Sequence, residues 1–314
     1  MTLRVLVSCR QMQSCFDEFR GTFVASGVDP YLPKLSGQQM TADELCSIIG
    51  EYHGVIAGDD HFTRSVLERA PVLRVISKWG VGLDAIDQHA ARELGIAIVN
   101  TPNMFDEEVA DVSIGYLIML ARKLHRIDAA MRTGEWLKSE GRSLGGLTLG
   151  IVGLGGIGLA TARRALAMTM SVVGSDPSPV ATAAATSLGV NVLGFDEVMR
   201  VSDALVLNCP LTHETRGLLN ARVLAQARPG LLIVNTARGP VIDEAALTAA
   251  LLLGRVAGAA LDVFEREPLA ADSPLRSMDQ VILGSHNASN TREAVLRTSA
   301  LAVENLFRHL EGER

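Results

Sequence analysis

Aromatic residues are scarce, 4% of a 314-residue chain, so any core must be built from aliphatic side chains. A chain of that length buries one large core or two modest ones, and two domains are the expectation. Cysteine is sparse too. Cys9, Cys15, Cys46 and Cys209 are the four, and no short paired spacing among them could clip a zinc ion or form a redox dithiol. His53, His61, His89, His125, His213 and His309 show no ligand spacing either, so no metal is expected. Positive charge is not in excess: 29 Lys and Arg stand against 35 Asp and Glu, a net charge of −6. Counterion-release binding needs a basic face, which removes nucleic acid as the expected partner and leaves a small molecule. No apolar run escapes charge or glycine long enough to span a membrane, and the opening MTLRVLVSCRQMQ lacks a small-residue cleavage site behind an apolar core. A cytoplasmic location is therefore expected. Fixed-period repeats and low-complexity tracts are lacking as well.

What is present is an alternation. The runs RVLVS, GVIAG, LRVISKWG, IAIVN, LTLGIVGLG, SVVGSD, ALVLN, LLIVNTA, GAALDVF and QVILGS are separated by Ala- and Leu-rich stretches. This is a βαβ rhythm, which predicts an α/β fold with mainly parallel sheets and helices on both faces. The first four runs end at Asn100 and a second series opens near Leu147, so two sheets are expected. Between them, 103–124 reads as a largely buried helix acting as a domain hinge, with Val109, Val112, Ile114, Leu117, Ile118, Leu120 and Ala121 as its apolar positions. A last helix over 292–310 has no strand series of its own and must dock on one of the two domains.

Gly153-Leu154-Gly155-Gly156-Ile157-Gly158 follows the strand-like LTLGIV and precedes the helical LATARRALAM. Glycines there permit a tight turn and close approach of a pyrophosphate, while a helix N-terminus supplies free N–H groups. The next strand ends in Asp176, 176 − 158 = 18 residues on, near the spacing of a ribose-binding acid. A carboxylate there accepts from the ribose hydroxyls and repels a 2′-phosphate, so NAD is expected and NADP disfavoured. Each feature alone fits an ordinary strand-to-helix turn with a solvated aspartate. Their order argues for the cofactor.

Three later segments end predicted strands, where the ligand crevice of an open α/β sheet lies: NTARG with Arg238, LDVFEREPL with Glu267 and LGSHNAS with His286. Arg238 can grip a carboxylate and polarise an adjacent carbonyl. His286 can exchange a proton with that oxygen, and Glu267 can hold the imidazole in one tautomer. Singly, each has an ordinary surface or structural role. Their joint presence downstream of a dinucleotide site shifts the balance toward catalysis.

SKWGVGLDAID at 77–87, TPN at 101–103, VGLGGIG at 152–158, ETRGLLN at 214–220, NTARGPVIDEAAL at 235–247 and ALDVFEREPL at 260–269 together resemble the D-isomer-specific 2-hydroxyacid dehydrogenase family, nearly end to end. The resemblance implies two doubly wound, Rossmann-like domains. A cofactor domain, 103–286, is inserted into a discontinuous substrate domain of 1–102 and 287–314. It implies an NAD-dependent hydride transfer at C2 of a small 2-hydroxy or 2-oxo acid, and a homodimer joined through the cofactor domains. By the same resemblance Arg238, Glu267 and His286 are the catalytic residues, Gly156 and Ile157 the pyrophosphate turn, and Cys209 with Pro210 the loop beside adenosine. Thr236, Ala237, Arg238, His286 and Ala288 fall near the nicotinamide, and Asp262 matches the acid that binds its carboxamide. Val81 and Gly82 would hold the substrate carboxylate, with Lys78, Trp79 and Asn103 beside the substrate. No appended regulatory module is expected.

The pattern departs from the family in places. Asn287 follows His286 where a small apolar residue is usual, and reads equally as a turn cap. Asp111 stands where many relatives carry glutamate, which leaves its partner in doubt. GVIAGDDHFT puts Gly58 and Asp59 where phosphoglycerate-oxidising relatives have Arg-Ser, and two aspartates would repel a phosphate unless Lys78, Arg10 or a partner residue compensates. Trp79 fits a substrate contact or a core position equally. Rival readings are phosphoglycerate or phosphite oxidation on the same scaffold, or a non-catalytic NADH-sensing corepressor. Formate oxidation is disfavoured by Glu267.

Overall fold

The computed structural model describes residues 2–35 and 37–311. The chain divides into two compact units. One takes the chain up to Met104 and again from Asn290; the other is Phe105–Ser289. These breaks fall slightly later than those expected after 102 and 286. Met104 stays with the first unit because its carbonyl accepts from Arg297 Nε at 2.9 Å. Ala288 stays with the second because its N–H donates to Asp262 Oδ2 at 2.9 Å.

In the first unit, β1 (Leu3–Val7), β2 (Val28–Tyr31), β3 (Gly54–Ala57), β4 (Val75–Lys78) and β5 (Ala97–Val99) form one sheet in the order β2-β1-β3-β4-β5. All its pairs are parallel. Strands β3 and β4 are buried along their whole length, as a parallel strand covered on both faces must be. The terminal helix Arg292–Leu310 returns to this sheet. Its Val295, Ala302, Val303 and Leu306 share a core with Val5, Val7 and Ile56, and Ser77 Oγ donates to the Ala302 carbonyl at 2.7 Å.

The second unit holds β6 (Thr148–Val152), β7 (Ser171–Ser175), β8 (Asn191–Val192), β9 (Ala204–Leu207), β10 (Leu231–Asn235), β11 (Val256–Leu261) and β12 (Val281–Leu283) in the order β12-β11-β10-β9-β6-β7-β8. Again every pair is parallel. Alternate residues of one strand serve opposite faces. Leu205, Leu207 and Ile233 pack in one core, and Val206, Leu232 and Val234 in the other with Ile114, Leu117 and Leu120 of the long helix Asp106–Arg122. From β6 the chain runs outward to β8 and then restarts at β9 on the other side of β6. The topological switch therefore lies between β6 and β9, where such sheets bind ligands.

Two strands and a helix end differ from expectation. The sequence patterns do not reveal β2 or β8. Both are edge strands: β2 carries Pro30 and β8 has two residues, so neither shows a buried apolar run. The helix expected over 103–124 is Asp106–Arg122. Lys123 takes a left-handed conformation at φ 53°, and a second helix, Leu124–Arg132, follows at once. No glycine or proline announces that break.

Candidate active site

The turn after β6 is shaped by its glycines. Gly153 has φ +94°, and a Cβ there would press on the backbone N of Cys209 at 2.5 Å, so only glycine lets the β6 turn meet the β9 loop. A Cβ at Gly158 would collide with the Gly153 carbonyl, so this glycine lets the helix Gly156–Ala167 sit close against β6. Gly155 differs: nothing stands within 4 Å of where its Cβ would be. The helix N-terminus is open at Gly155, which fits a pyrophosphate, whereas the Asp106 carboxylate packs against Gly156 in the same first turn, where a Cβ would collide with it.

Asp176 follows β7, and its carboxylate accepts from Leu154 N at 2.7 Å and from Ser178 N at 2.8 Å. The acid is thus tied to the glycine turn itself. Cys209, at the end of β9, is buried, and burial pushes its thiol up to about 11, so it packs as a neutral thiol. Pro210 beside it is exposed.

At the end of β10, Asn235 shapes the Asn-Thr-Ala-Arg turn by accepting from Ala237 N at 3.1 Å and donating to the Arg238 carbonyl at 3.0 Å. Arg238 Nη1 donates to the Ala237 carbonyl at 2.9 Å. Beyond β12, His286 has φ 55°, and its N–H donates to the Asp262 carbonyl at 2.7 Å. Its Nδ1 meets Glu267 Oε2 at 2.8 Å, while Glu267 Oε1 accepts from Phe264 N at 3.0 Å. Both side chains are mostly shielded, 24% and 19% exposed. Histidine and glutamate thus converge from separate loops at the carboxyl ends of β11 and β12.

Residues 114–288 match the model of the D-isomer specific 2-hydroxyacid dehydrogenase NAD binding domain. The chain is 36% identical to a hydroxypyruvate reductase of Thermotoga maritima over 88% of this chain and 91% of the relative. It belongs to the D-isomer-specific 2-hydroxyacid dehydrogenase family. It is also 35% identical to a D-3-phosphoglycerate dehydrogenase of Archaeoglobus fulgidus over 87% of its own length, but spans only 52% of that relative. A solved D-lactate dehydrogenase of Aquifex aeolicus, complexed with NAD and lactic acid, is similar at TM-score 0.86 and 25% identity, covering 99% of this chain and 96% of that one.

In this dehydrogenase-family chain, the expected substrate residues of the first unit have unequal surroundings. Val81 is 43% exposed, its carbonyl accepting from Asn100 Nδ2 at 2.8 Å, and Gly82 is half-buried. Asn103 is exposed with φ 60°. Trp79 is 5% exposed within the core around Val5 and Val295, and its indole N–H donates to Ser299 Oγ at 3.0 Å, an arrangement that favours the core role. Lys78 is buried, with Nζ 3.1 Å from Asp59 Oδ1 and donating to the Trp79 carbonyl at 2.8 Å.

The paired aspartates also separate in role. Asp60 is buried and accepts from Ser8 Oγ, Met40 N and Gly58 N, so only Asp59 offers partly exposed charge. Asp111 is held by Arg164 Nε at 2.7 Å, which supplies its partner. Sequence reasoning missed Ser113, Tyr116 and Asn208. Ser113 Oγ lies 2.8 Å from Thr236 Oγ1, Thr236 Oγ1 donates to Asn208 Oδ1 at 3.2 Å, and the Tyr116 hydroxyl donates to Asp262 Oδ1 at 3.4 Å. The only signal of Ser113 and Tyr116 is three-residue spacing on one helix face, which core packing would give equally, and that of Asn208 is its place directly after a strand.

Proposed function

We propose that this chain is an NAD(H)-dependent oxidoreductase acting at C2 of a small, non-phosphorylated 2-hydroxy or 2-oxo acid. The observation that carries the reading is the 2.8 Å contact between His286 Nδ1 and Glu267 Oε2, on the same sheet as the glycine turn and Asp176. The residues fit the cofactor. The open face of Gly155 and the N–H groups behind it suit the pyrophosphate, Asp176 the adenosine ribose, and Thr236, Ala237, Asp262 and Ala288 the nicotinamide end. The chemistry supplied by the bound cofactor is hydride donation or acceptance.

The chain's own groups do the rest. Arg238 grips the substrate carboxylate and stabilises charge developing on the C2 oxygen. With Nδ1 of His286 committed to Glu267, proton exchange with that oxygen falls to Nε2. Glu267 fixes the tautomer and offsets the charge that His286 gains. The carboxylate of Asp176 disfavours a 2′-phosphate and hence NADP. Lys78 is already matched by Asp59 at 3.1 Å, which supports a substrate without a phosphate.

NADH oxidation followed with glyoxylate, hydroxypyruvate, pyruvate and phosphohydroxypyruvate, repeated with NADPH, tests the reading. Turnover is expected with NADH and an unphosphorylated acid, and His286→Ala should lower kcat by about 10²- to 10⁴-fold. Survival of turnover to within a few fold in that variant overturns the assignment of His286, and faster turnover of the phosphorylated acid overturns the substrate class.

A further inference from the structure

The carboxyl ends of β11, β10 and β9, neighbours in the sheet, carry Asp262, Thr236 and Asn208. Helical side chains engage all three. From the long helix Asp106–Arg122, Tyr116 donates to Asp262 Oδ1 at 3.4 Å and Ser113 lies 2.8 Å from Thr236 Oγ1. Asn208 Nδ2 donates to Thr161 Oγ1 at 3.4 Å on the helix Gly156–Ala167, and Thr161 in turn donates to the Ile157 carbonyl at 2.9 Å. Donors run from Thr236 to Asn208, from Asn208 to Thr161 and from Thr161 to the glycine turn, while the Ser113 hydroxyl lies 2.8 Å from both Thr236 Oγ1 and the Val109 carbonyl and has one proton to share between them.

Satisfying buried groups does not require this arrangement. Ser113 is already satisfied by its bond back to the Val109 carbonyl of its own helix at 2.8 Å, as mid-helix serines are. Tyr116 is only half-buried and could be served by water. Yet Ser113 and Tyr116, three residues apart on one helix face, also reach the ends of adjacent strands. Asp262 is then held at both oxygens, by Tyr116 and by Ala288 N at 2.9 Å, and its carbonyl receives the His286 N–H at 2.7 Å. Burial, reinforced by Asp262, pushes the Tyr116 phenol up to about 12, so it remains a donor at neutral pH.

We propose that Ser113 and Tyr116 are positioning residues for the nicotinamide end of the cofactor, Ser113 by setting the Thr236 hydroxyl and Tyr116 by setting the Asp262 carboxylate. The inference rests on the cofactor reading above, in which Thr236 and Asp262 face the nicotinamide. Neither positioning residue touches substrate.

The test uses the full chain and two ligands: NADH, and ADP-ribose, which keeps the adenosine and pyrophosphate but has no nicotinamide. Titration calorimetry of Ser113→Ala and Tyr116→Phe should show the Kd for NADH raised by about 3- to 10-fold, with that for ADP-ribose changed by less than about twofold. Unchanged NADH affinity in both variants overturns the proposal. So does equal weakening of both ligands, which marks a general structural role. If the unaltered chain binds neither ligand, the cofactor reading itself falls, and this inference with it.

Discussion

Asp60 is a carboxylate with no exposed surface. Burial raises its pKa most strongly, and the hydrogen bonds from Ser8, Met40 and Gly58 act in the opposite direction. Oδ1 accepts from Met40 N at 2.7 Å, and Oδ2 from Gly58 N at 2.9 Å and Ser8 Oγ at 2.6 Å. An amide cannot replace it, because whichever way an asparagine is turned its NH₂ meets a backbone N–H. Asp60→Asn should therefore cost about 1–3 kcal/mol of stability, read as a lower urea midpoint with the slope unchanged. Stability equal to that of the unaltered chain would show that the cage does not depend on charge. The sequence shows two adjacent aspartates as equal charges; burial alone distinguishes the caged Asp60 from Asp59, paired with Lys78.

The glycine turn separates fold from ligand binding at the scale of an element. A methyl at Gly158 has no room, because the Gly153 carbonyl occupies its place and the helix would have to lift from β6. Gly158→Ala should cost about 1–3 kcal/mol and lower the melting temperature. Gly155 has an extended conformation, φ −69° and ψ −164°, with empty space at the Cβ position. Gly155→Ala should leave the melting temperature unchanged while weakening NADH binding. Equal thermal shifts in the two variants would contradict these separate roles. The glycine spacing was legible in the sequence because strand, turn and helix are local. So were the buried strands, whose apolar runs are continuous. The edge strands β2 and β8 were not, because an edge needs no such run, and the break at Lys123 was not, because a residue unremarkable in sequence takes up the left-handed turn.

For the whole molecule, the helix Leu124–Arg132 has no buried residue. Leu124 and Met131 are 44% and 46% exposed, and Trp136 beyond it is 77% exposed. Apolar groups exposed along one segment are available for association, and the homodimer that the family resemblance implies would use them. Light scattering should give twice the chain mass, and Trp136→Ser together with Met131→Ser should shift the chain toward monomer; a monomeric unaltered chain would sink the proposal. Among the described residues no helix is long and apolar enough to cross a membrane.

The order of residues alone determined the two strand series, the glycine turn with the acid after the next strand, and the arginine, glutamate and histidine as a candidate set, since each is written in short-range pattern or motif. Only the tertiary structure decided that His286 and Glu267 meet, that Trp79 is buried in the core, and that Ser113 and Tyr116 reach Thr236 and Asp262 across 123 and 146 residues of chain. Such contacts leave no periodic trace, because parallel strands bring side chains together only after long crossovers. Burial then decides which polar groups must find partners.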